Sequence, residues 1–243
     1  MHAAGPASVP GSVDDPVGDL RNCVLPLLNV LDAVRRARIG ARVLFVSSAA
    51  VYGNPPRLPV DEDTPPNPIS PYGFHKWMGE RLLEEYWRVY GVRGCSLRVF
   101  SAYGPGLRRQ VLWDLAQRML SGSVVELMGT GEQTRDFVHA CDVARGVAVV
   151  ADHAALEAET YNLATGTETP IADLARQLAA ALGRDVRIAF TGCDRPGDPV
   201  RWCADIRRLR RLGYAPRIAL AAGVVQYARW VRRVLAPEAE RVA

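Results

Sequence analysis

A tyrosine and a lysine four positions apart are the clearest candidates for proton transfer in this sequence. Tyr72 and Lys76 lie in the segment YGFHK, at the predicted start of a helix. Positions i and i+4 share one face of a helix, so the two side chains are expected to lie together. An ammonium group near a phenol favours the phenolate and lowers the tyrosine pKa, which makes the phenolate a usable base. The alternative is a surface pair at helical spacing, which YxxxK alone does not exclude.

Composition also singles out Lys76. The chain has 243 residues and 30 Lys plus Arg, of which Lys76 is the one lysine, leaving 29 arginines (30 − 1). In a chain so biased towards arginine, a lysine without a special task could equally have been arginine. The alternative is that one lysine remains at this position by chance. The bias favours a role that needs a compact ammonium on a flexible stem rather than a planar guanidinium.

Ser48 is a second candidate, because it ends a predicted buried strand. The segment Val46 to Gly53 reads VSSAAVYG, so an apolar strand gives way to small hydroxyl residues. In parallel α/β sheets, ligands bind beyond the carboxyl ends of strands. Ser48 is therefore placed to hydrogen-bond a substrate hydroxyl, and the alternative is a serine that only caps a loop.

The elements that must position these residues alternate between strands and helices, which predicts a parallel α/β sheet. Residues 54–71 contain seven prolines and are predicted to be a loop. Apolar periodicity and end signals predict the other elements. The predicted strands are 42–47, 95–100, 124–128, 160–163 and 186–190, and the predicted helices are 14–38, 72–90, 107–120, 142–151, 171–182, 206–212 and 218–235.

Composition argues against several classes of protein. Hydrophobic residues make up 49% and charged residues 23%, with a net charge of +4, which is an ordinary globular balance. The arginine clusters are short, so no nucleic-acid partner is expected. No apolar run approaches the roughly 20 residues of a membrane span, and no signal peptide is recognised. The five cysteines form no CxxC pair, so we expect no metal site and a cytoplasmic location.

Three motifs together resemble a known family. The VSSAAVYG strand end, the YxxxK helix start and the downstream Arg135-Asp-Phe-Val-His139 are similar to the extended short-chain dehydrogenases/reductases that act on nucleotide sugars. The resemblance covers residues 2 to about 235. It implies an α/β fold with a Rossmann-type doubly wound parallel sheet, truncated at the N-terminus, and a smaller C-terminal α/β substrate-binding domain. It also implies NAD as cofactor, with NADP possible, and a nucleotide-diphosphate sugar as substrate.

The same resemblance implies roles for particular residues. Ser48, Tyr72 and Lys76 are expected to be catalytic. The residues expected beside the cofactor are Ala3, Ala4, Gly5, Asn22, Tyr72 and Lys76. The residues expected at the substrate are Ser48, Ser101, Gln110, Arg135, Arg195 and Asp198, with the two arginines on the diphosphate and the aspartate on the ribose.

Two departures from the family pattern bear on the reaction. Ala49 and Ala50 stand where the 4,6-dehydratases have an Asp-Glu pair, and alanine cannot transfer protons. Ser101 stands where relatives usually have a substrate-binding asparagine. We therefore expect a 4-epimerase acting through a transient keto sugar. The alternatives are a ketoreductase or dehydratase of the same family, or a catalytically inactive binding remnant.

The sequence shows no strand and no Gly-rich turn ahead of the matching region. The resemblance therefore predicts that residues 1–105 are the remaining part of the dinucleotide-binding domain and that residues 106–243 are mainly substrate-binding, with the chain crossing back near 135–165. We expect the chain alone to bind NAD weakly and to expose a sheet edge that favours aggregation. The resemblance also implies a homodimer, formed by apolar stripes on the helices near 15–38 and 72–90: Val24, Leu27, Leu28 and Leu31, with Trp77, Leu82 and Tyr86.

Overall fold

The computed structural model describes residues 1–193 and 197–235 of the chain. Within this part most of the helices begin and end close to the predicted positions. They are α1 Val9–Asp14, α2 Pro16–Ala37, α3 Pro71–Tyr90, α4 Gln110–Ser121, α5 Ala140–His153, α6 Ile171–Ala181, α7 Arg207–Arg210 and α8 Leu220–Leu235, with a 3₁₀ helix at Ala49–Tyr52. None of these helices is long and apolar enough to cross a membrane.

The strands of the described residues fall into three small sheets. They are β1 Val43–Ser48, β2 Gly94–Val99, β3 Ser101–Tyr103, β4 Val124–Leu127, β5 Thr134–His139, β6 Glu157–Leu163, β7 Glu168–Pro170 and β8 Arg187–Phe190. The main sheet has the order β1-β2-β6 and is parallel throughout, the second has the order β3-β5-β7, and the third pairs β4 with β8. The second sheet is parallel between β3 and β5 and antiparallel between β5 and β7.

The main sheet is covered on both faces, as a doubly wound sheet requires. Successive side chains of a strand point to opposite faces. Accordingly Val43 and Phe45 of β1 pack with Leu27, Leu31 and Leu83, which belong to α2 and α3. Leu44, between them, joins a different core cluster, which includes Val150 of α5. The predicted α/β fold class is confirmed.

The outer edge of β1 has little cover within the described residues. His2 forms an isolated parallel bridge with Phe45. Its backbone N–H donates to Leu44 O at 2.8 Å, and its carbonyl accepts from Val46 N at 3.0 Å. The segment at His2 therefore takes the place of a neighbouring strand for one residue only.

The differences from the sequence prediction lie where buried side chains are polar or where elements are short. β5 was not predicted, because it begins with Thr134, Arg135 and Asp136, which resemble a loop composition. The structure shows that five of its six residues are buried. α1 was also missed, and α4 begins at Gln110 rather than at 107. The helix predicted over 206–212 is the four-residue α7.

Candidate active site

The first turn of α3 is anchored by two serine hydroxyls. Ser70 is the N-cap, and its side chain accepts from Gly73 N at 3.2 Å. Ser12 of α1 is buried, and its hydroxyl accepts from the backbone N–H of Tyr72 at 3.0 Å. Pro71 occupies the first helical position, where its lack of an N–H costs nothing. The backbone N–H groups of Tyr72 and Gly73, which lack a partner within the helix, are thus hydrogen-bonded, and this fixes the backbone of Tyr72.

A glycine allows α3 to approach the end of β1. A Cβ atom at Gly73 would lie 2.5 Å from the carbonyl oxygen of Ala50, too close for any other residue without movement. The Ser48 side chain accepts from Ala50 N at 3.1 Å, so it caps the 3₁₀ helix, and it also hydrogen-bonds the side chain of Tyr72. The structure therefore brings Ser48 and Tyr72 together as predicted, and the capping role exists beside that contact.

The pKa of Tyr72 differs from the expectation. Burial raises the pKa of Tyr72 to about 12, and the hydrogen bond from Ser48 opposes this rise. The predicted lowering by Lys76 is wrong for this structure, because desolvation of the phenolate outweighs the favourable contacts. Tyr72 is 8% exposed, and the Nζ atom of Lys76 lies 5.7 Å from the centroid of its ring.

Lys76 is buried between α3 and β1, and its ammonium group has few hydrogen-bond partners among the described residues. Its Nζ atom donates to the carbonyl oxygen of Val46 at 2.9 Å, hydrogen-bonds the Cys23 thiol and lies 5.1 Å from the centroid of the Phe45 ring. Burial lowers the pKa of Lys76, while Cys23 and Asp19 on α2 raise it. An ammonium has three donors, and two of these are used by Val46 and Cys23. One donor remains for a ligand.

Cys23, and not Asn22, is the residue of α2 that contacts Lys76. Asn22 is exposed, and its side-chain amide donates to the carbonyl oxygen of Gly18 at 2.8 Å within the same helix. Adjacent residues of a helix point about 100° apart, so a shift of one position changes the face. The structure places Cys23, which is buried, on the face that meets Lys76. The cofactor contact expected of Asn22 stays a prediction.

A buried carboxylate–imidazole pair accompanies this contact. Asp19 Oδ2 lies 2.5 Å from His75 Nδ1, and both side chains are almost fully buried. The pair joins α2 to α3, one residue before Lys76. The other oxygen of Asp19, Oδ1, is buried and has no hydrogen-bond partner among the described residues. Sequence reasoning missed this pair, since no local pattern links residues 56 positions apart.

A second buried network holds α3 against β1 and β2. Glu80 of α3 accepts two bonds from Arg98, at 3.0 and 2.8 Å, and one from Ser47 at 2.6 Å. Arg98 also donates to the hydroxyl of Tyr52 at 2.8 Å, and that hydroxyl donates to Asn162 at 2.7 Å. Ser47 and Tyr52 flank the segment of Ser48. The network thus fixes the relative positions of the two elements that carry the candidate catalytic residues.

The predicted cofactor segment Ala3, Ala4 and Gly5 lies beside α2. All three residues are exposed. Gly5 has a φ of 122°, and a Cβ atom there would lie 3.0 Å from the carbonyl oxygen of Asn22 and 3.8 Å from Cys23 Sγ. The segment follows His2, which runs parallel to β1, so it continues towards the carboxyl end of the sheet. Small side chains at this end leave room for a ligand.

The predicted substrate residue Arg135 lies on β5. It is half-buried, and its guanidinium carbon lies 5.4 Å from the centroid of the Trp202 ring. One guanidinium nitrogen donates to the carbonyl oxygen of Thr134 at 2.8 Å. Burial lowers the pKa of Arg135, and the charge of Asp198 raises it.

Asp136 fixes the backbone around Arg135. Its buried carboxylate accepts from the N–H and the hydroxyl of Thr165, from Gly166 N and from Ala204 N, at 2.6–3.2 Å. Four donors around one carboxylate tie β5 to two loops. This arrangement holds Arg135 against Trp202, which lies two residues before Ala204.

The remaining predicted substrate residues are dispersed. Ser101 begins β3, next to the carboxyl end of β2, and is half-buried. Gln110 is exposed at the start of α4, with a φ of 66°. Gly197 packs near Val9 of α1 and Ser70, which brings the neighbouring Asp198 towards the start of α3. Arg195 lies outside the described residues.

No group of three His, Cys, Asp or Glu residues suited to a metal ion occurs in the described part of the chain. The five cysteines are all free thiols. The site offers the hydroxyl of Ser48, the phenol of Tyr72 and the ammonium of Lys76 at the carboxyl end of a parallel sheet.

Comparison with known proteins agrees with this geometry. The family model described as "NAD dependent epimerase/dehydratase family" matches residues 1–164. The chain belongs to this family of enzymes, which confirms the predicted resemblance.

Individual relatives include different members of the family. A UDP-glucose 4-epimerase from Mycolicibacterium smegmatis is 34% identical over 240 residues, which are 96% of this chain and 75% of the relative. A dTDP-glucose 4,6-dehydratase from Streptomyces niveus is 29% identical over 234 residues, which are 96% of this chain and 69% of the relative. A solved structure of UDP-glucuronic acid 4-epimerase from Bacillus cereus, with UDP-glucuronic acid and NAD, has a TM-score of 0.90 and 26% identity, covering 96% of this chain and 75% of that one.

Proposed function

We propose that the chain is the catalytic and substrate-binding part of an NAD-dependent nucleotide-sugar 4-epimerase. The observation that carries this proposal is the contact between Ser48 and Tyr72 at the carboxyl end of β1, with the Lys76 ammonium beside the Tyr72 ring. The similarity to UDP-sugar 4-epimerases supports the choice of substrate class. The roles proposed for the individual residues in this reaction are argued from their chemistry.

Tyr72 takes the proton of the C4 hydroxyl during oxidation and returns it during reduction. Ser48 holds the same oxygen through its hydroxyl, in the position where it now bonds Tyr72. NAD, when bound, supplies reversible storage of the C4 hydride and a positive charge. A positive charge near a buried phenol lowers the tyrosine pKa from the value of about 12 found here and makes the phenolate accessible.

The residues present fit such a cofactor. Lys76 has a donor directed at neither Val46 nor Cys23, and the segment Ala3–Gly5 offers small side chains beside it. An ammonium donor suits the hydroxyls of a nicotinamide ribose, and its buried position holds it at one point. NADP is the alternative cofactor, and no described residue of this segment discriminates between the two.

Arg135 and Asp198 bind the nucleotide-diphosphate part of the substrate in this proposal. A guanidinium suits phosphate oxygens, and a carboxylate accepts from ribose hydroxyls. Trp202 holds the Arg135 guanidinium from one side. Arg195 is proposed as a second diphosphate ligand, and Ser101 and Gln110 as further substrate contacts, from the sequence resemblance.

Epimerisation is favoured over dehydration because of two alanines. Ala49 and Ala50 follow Ser48 directly in the 3₁₀ helix and are 0% and 5% exposed. Loss of water across C5 and C6 of a hexose needs a general acid and base at that place, and methyl groups supply neither. The similarity to a 4,6-dehydratase therefore does not extend to this chemistry.

We also propose that the protein is a cytoplasmic homodimer. Val24, Trp77 and Leu82 line an apolar groove of about 420 Å³ between α2 and α3, together with Phe74 and Met78. Leu27, Leu31 and Tyr86, which were expected in the same stripes, are instead buried in the core of the monomer. The proposed interface is therefore the groove and not the whole of both stripes.

The proposal is tested by following a UDP-hexose by NMR in D₂O, using a form of the protein that carries a Gly-rich dinucleotide-binding segment ahead of Met1. We expect the two C4 epimers to interconvert while C4 keeps its original hydrogen, because a hydride moves rather than a solvent proton. Mass spectrometry should show no 4-keto-6-deoxy product. Formation of that product, or deuterium at C4, would contradict the epimerase mechanism.

A further inference from the structure

Trp202 is hydrogen-bonded to both parts of the chain that carry candidate site residues. Its indole N–H donates to the carbonyl oxygen of Gly53 at 2.9 Å, at the end of the 3₁₀ helix that follows Ser48. Its backbone N–H donates to the carbonyl oxygen of Thr134 on β5 at 3.2 Å. Trp202 is 8% exposed. The side chain is therefore fixed in the interior and does not lie loosely on the surface.

The chain next to Trp202 repeats this bridge. The backbone N–H of Val200 donates to the side-chain oxygen of Asn54 at 2.8 Å, and the N–H of Thr134 donates to Val200 O at 3.0 Å. The ring of Trp202 also packs against the ring of Phe100, with centroids 6.0 Å apart and an interplanar angle of 69°. This short segment thus joins the end of the 3₁₀ helix to β5, and the indole ring has one defined position between them.

The guanidinium of Arg135 lies against this fixed ring. Its Cζ atom is 5.4 Å from the ring centroid, within the range of a cation–π contact. One guanidinium nitrogen donates to the carbonyl oxygen of Thr134 at 2.8 Å, and further donors remain for a ligand. Among the described residues no carboxylate forms an ion pair with Arg135, although the charge of Asp198 acts on it. A half-buried cation is therefore held in place with donors left for an anion.

We infer that Trp202 is a positioning residue, which orients the Arg135 guanidinium for the diphosphate of the substrate. The ring restricts the plane of the guanidinium, and a planar fork binds two phosphate oxygens only in a matching orientation. The indole bond to Gly53 places the ring, and with it the phosphate contact, relative to the strand end that carries Ser48. This inference rests on the proposed function for the identity of the anion.

The experiment compares UDP with uridine in calorimetry of the 243-residue chain. Both ligands carry the base and the ribose, and only UDP carries the diphosphate. Trp202→Leu removes the ring and the indole N–H, so we expect the affinity for UDP to fall by about 3- to 30-fold and the affinity for uridine to stay at the wild-type value. The matched control is Trp87→Leu, since Trp87 is a half-buried tryptophan on α3, and it should change neither affinity.

Two further variants separate positioning from structural support. Trp202→Phe keeps an aromatic face but has no indole N–H, so its affinity for UDP should lie between those of the wild type and Trp202→Leu. Arg135→Leu should weaken UDP binding less in the Trp202→Leu protein than in the wild type, because the ring acts through this arginine. If Trp202→Leu does not fold, Trp202→Phe decides the question by the same comparison of UDP with uridine.

The orientation of Arg135 can also be measured without any nucleotide. The ¹⁵N–¹H signal of its Nε atom is assigned from the loss of that signal in Arg135→Leu. The ring current of the indole should displace this signal from those of the other arginines. In Trp202→Leu we expect the displacement to disappear and the ¹⁵N heteronuclear NOE to fall, while Trp87→Leu should alter neither.

The inference is overturned if the wild type prefers UDP over uridine through Arg135 and Trp202→Leu keeps that preference. An Arg135 signal that is unchanged in Trp202→Leu would overturn it as well. A wild type that binds UDP no better than uridine would instead contradict the diphosphate role given to Arg135 in the proposed function. The diphosphate part of the inference would then be rejected with it, and the NMR signal would still decide whether Trp202 fixes Arg135.

Discussion

The carboxylate of Glu80 and the guanidinium of Arg98 form a two-point ion pair in the interior, between α3 and β2. Their side chains are 1% and 4% exposed, and the closest of the two contacts measures 2.8 Å. The pair also engages Ser47, next to the candidate catalytic Ser48. It therefore links the stability of the sheet to the geometry of the site.

Removing one partner of this pair should destabilise the protein strongly. Glu80→Ala leaves the Arg98 charge buried without compensation, which costs about 3–5 kcal/mol of unfolding free energy in comparable cases. Glu84 on the same helix, which pairs with Arg88 near the surface, is the control, and Glu84→Ala should cost at most about 1 kcal/mol. Urea unfolding measures both, and equal losses would contradict the role given to the buried pair.

The groove between α2 and α3 is the proposed interface of the homodimer. Met78 lines this groove and is 45% exposed, while Met128 lies elsewhere and is 47% exposed. A charge at the centre of an apolar interface is costly unless it is paired. Met78→Glu should therefore shift the protein towards the monomer in light scattering, and Met128→Glu should not. A wild-type protein that is monomeric at all concentrations would contradict the proposal of a homodimer.

The titration of Tyr72 offers a direct test of its surroundings. In the absence of cofactor its pKa is raised to about 12, so the phenol stays protonated well above neutral pH. Tyrosine labelled with ¹³C at Cζ reports this by NMR, with the signal assigned from its loss in Tyr72→Phe. We expect Ser48→Ala to raise the pKa further, because the hydrogen bond that favours the phenolate is removed. A pKa near 10 in the wild type would contradict the burial of this group.

Binding of NAD to the 243-residue chain should be weak. Pyrophosphate binding in nucleotide-binding α/β folds uses a Gly-rich turn and the helix N-terminus behind it, and the sequence contains no such motif. Calorimetry should accordingly give a dissociation constant well above the micromolar range. Micromolar binding to a monodisperse sample would show that this chain holds the cofactor by other residues.

Much of the fold could be predicted from the sequence where apolar periodicity is strong. The apolar run of β1 and the periodic, well-capped α2 and α3 are confirmed within a few residues at their ends. The cluster of Ser48, Tyr72 and Lys76 follows from these elements, because a strand end and the next helix start meet at one edge of the sheet. Local patterns were sufficient for this part of the site.

The remaining features depend on contacts between distant residues. Ser12, which fixes the backbone of Tyr72, lies 60 positions before it and belongs to a helix that was not predicted. That Cys23 rather than Asn22 meets Lys76 depends on one position of helix register, which local patterns did not resolve. The pKa of Tyr72 was misjudged because the extent of burial, which decides it, is a property of the packed structure.

The most direct test of the central claim is the effect of Tyr72→Phe on the interconversion of UDP-hexose C4 epimers. The assay uses the form of the protein that carries the Gly-rich segment, with Tyr90→Phe as the control, since Tyr90 is an exposed tyrosine at the end of the same helix. Loss of a positioned proton-transfer group is expected to lower kcat by about 10²–10⁴-fold, while Tyr90→Phe should retain wild-type turnover. Near-wild-type kcat in a folded Tyr72→Phe protein would contradict the account of this site.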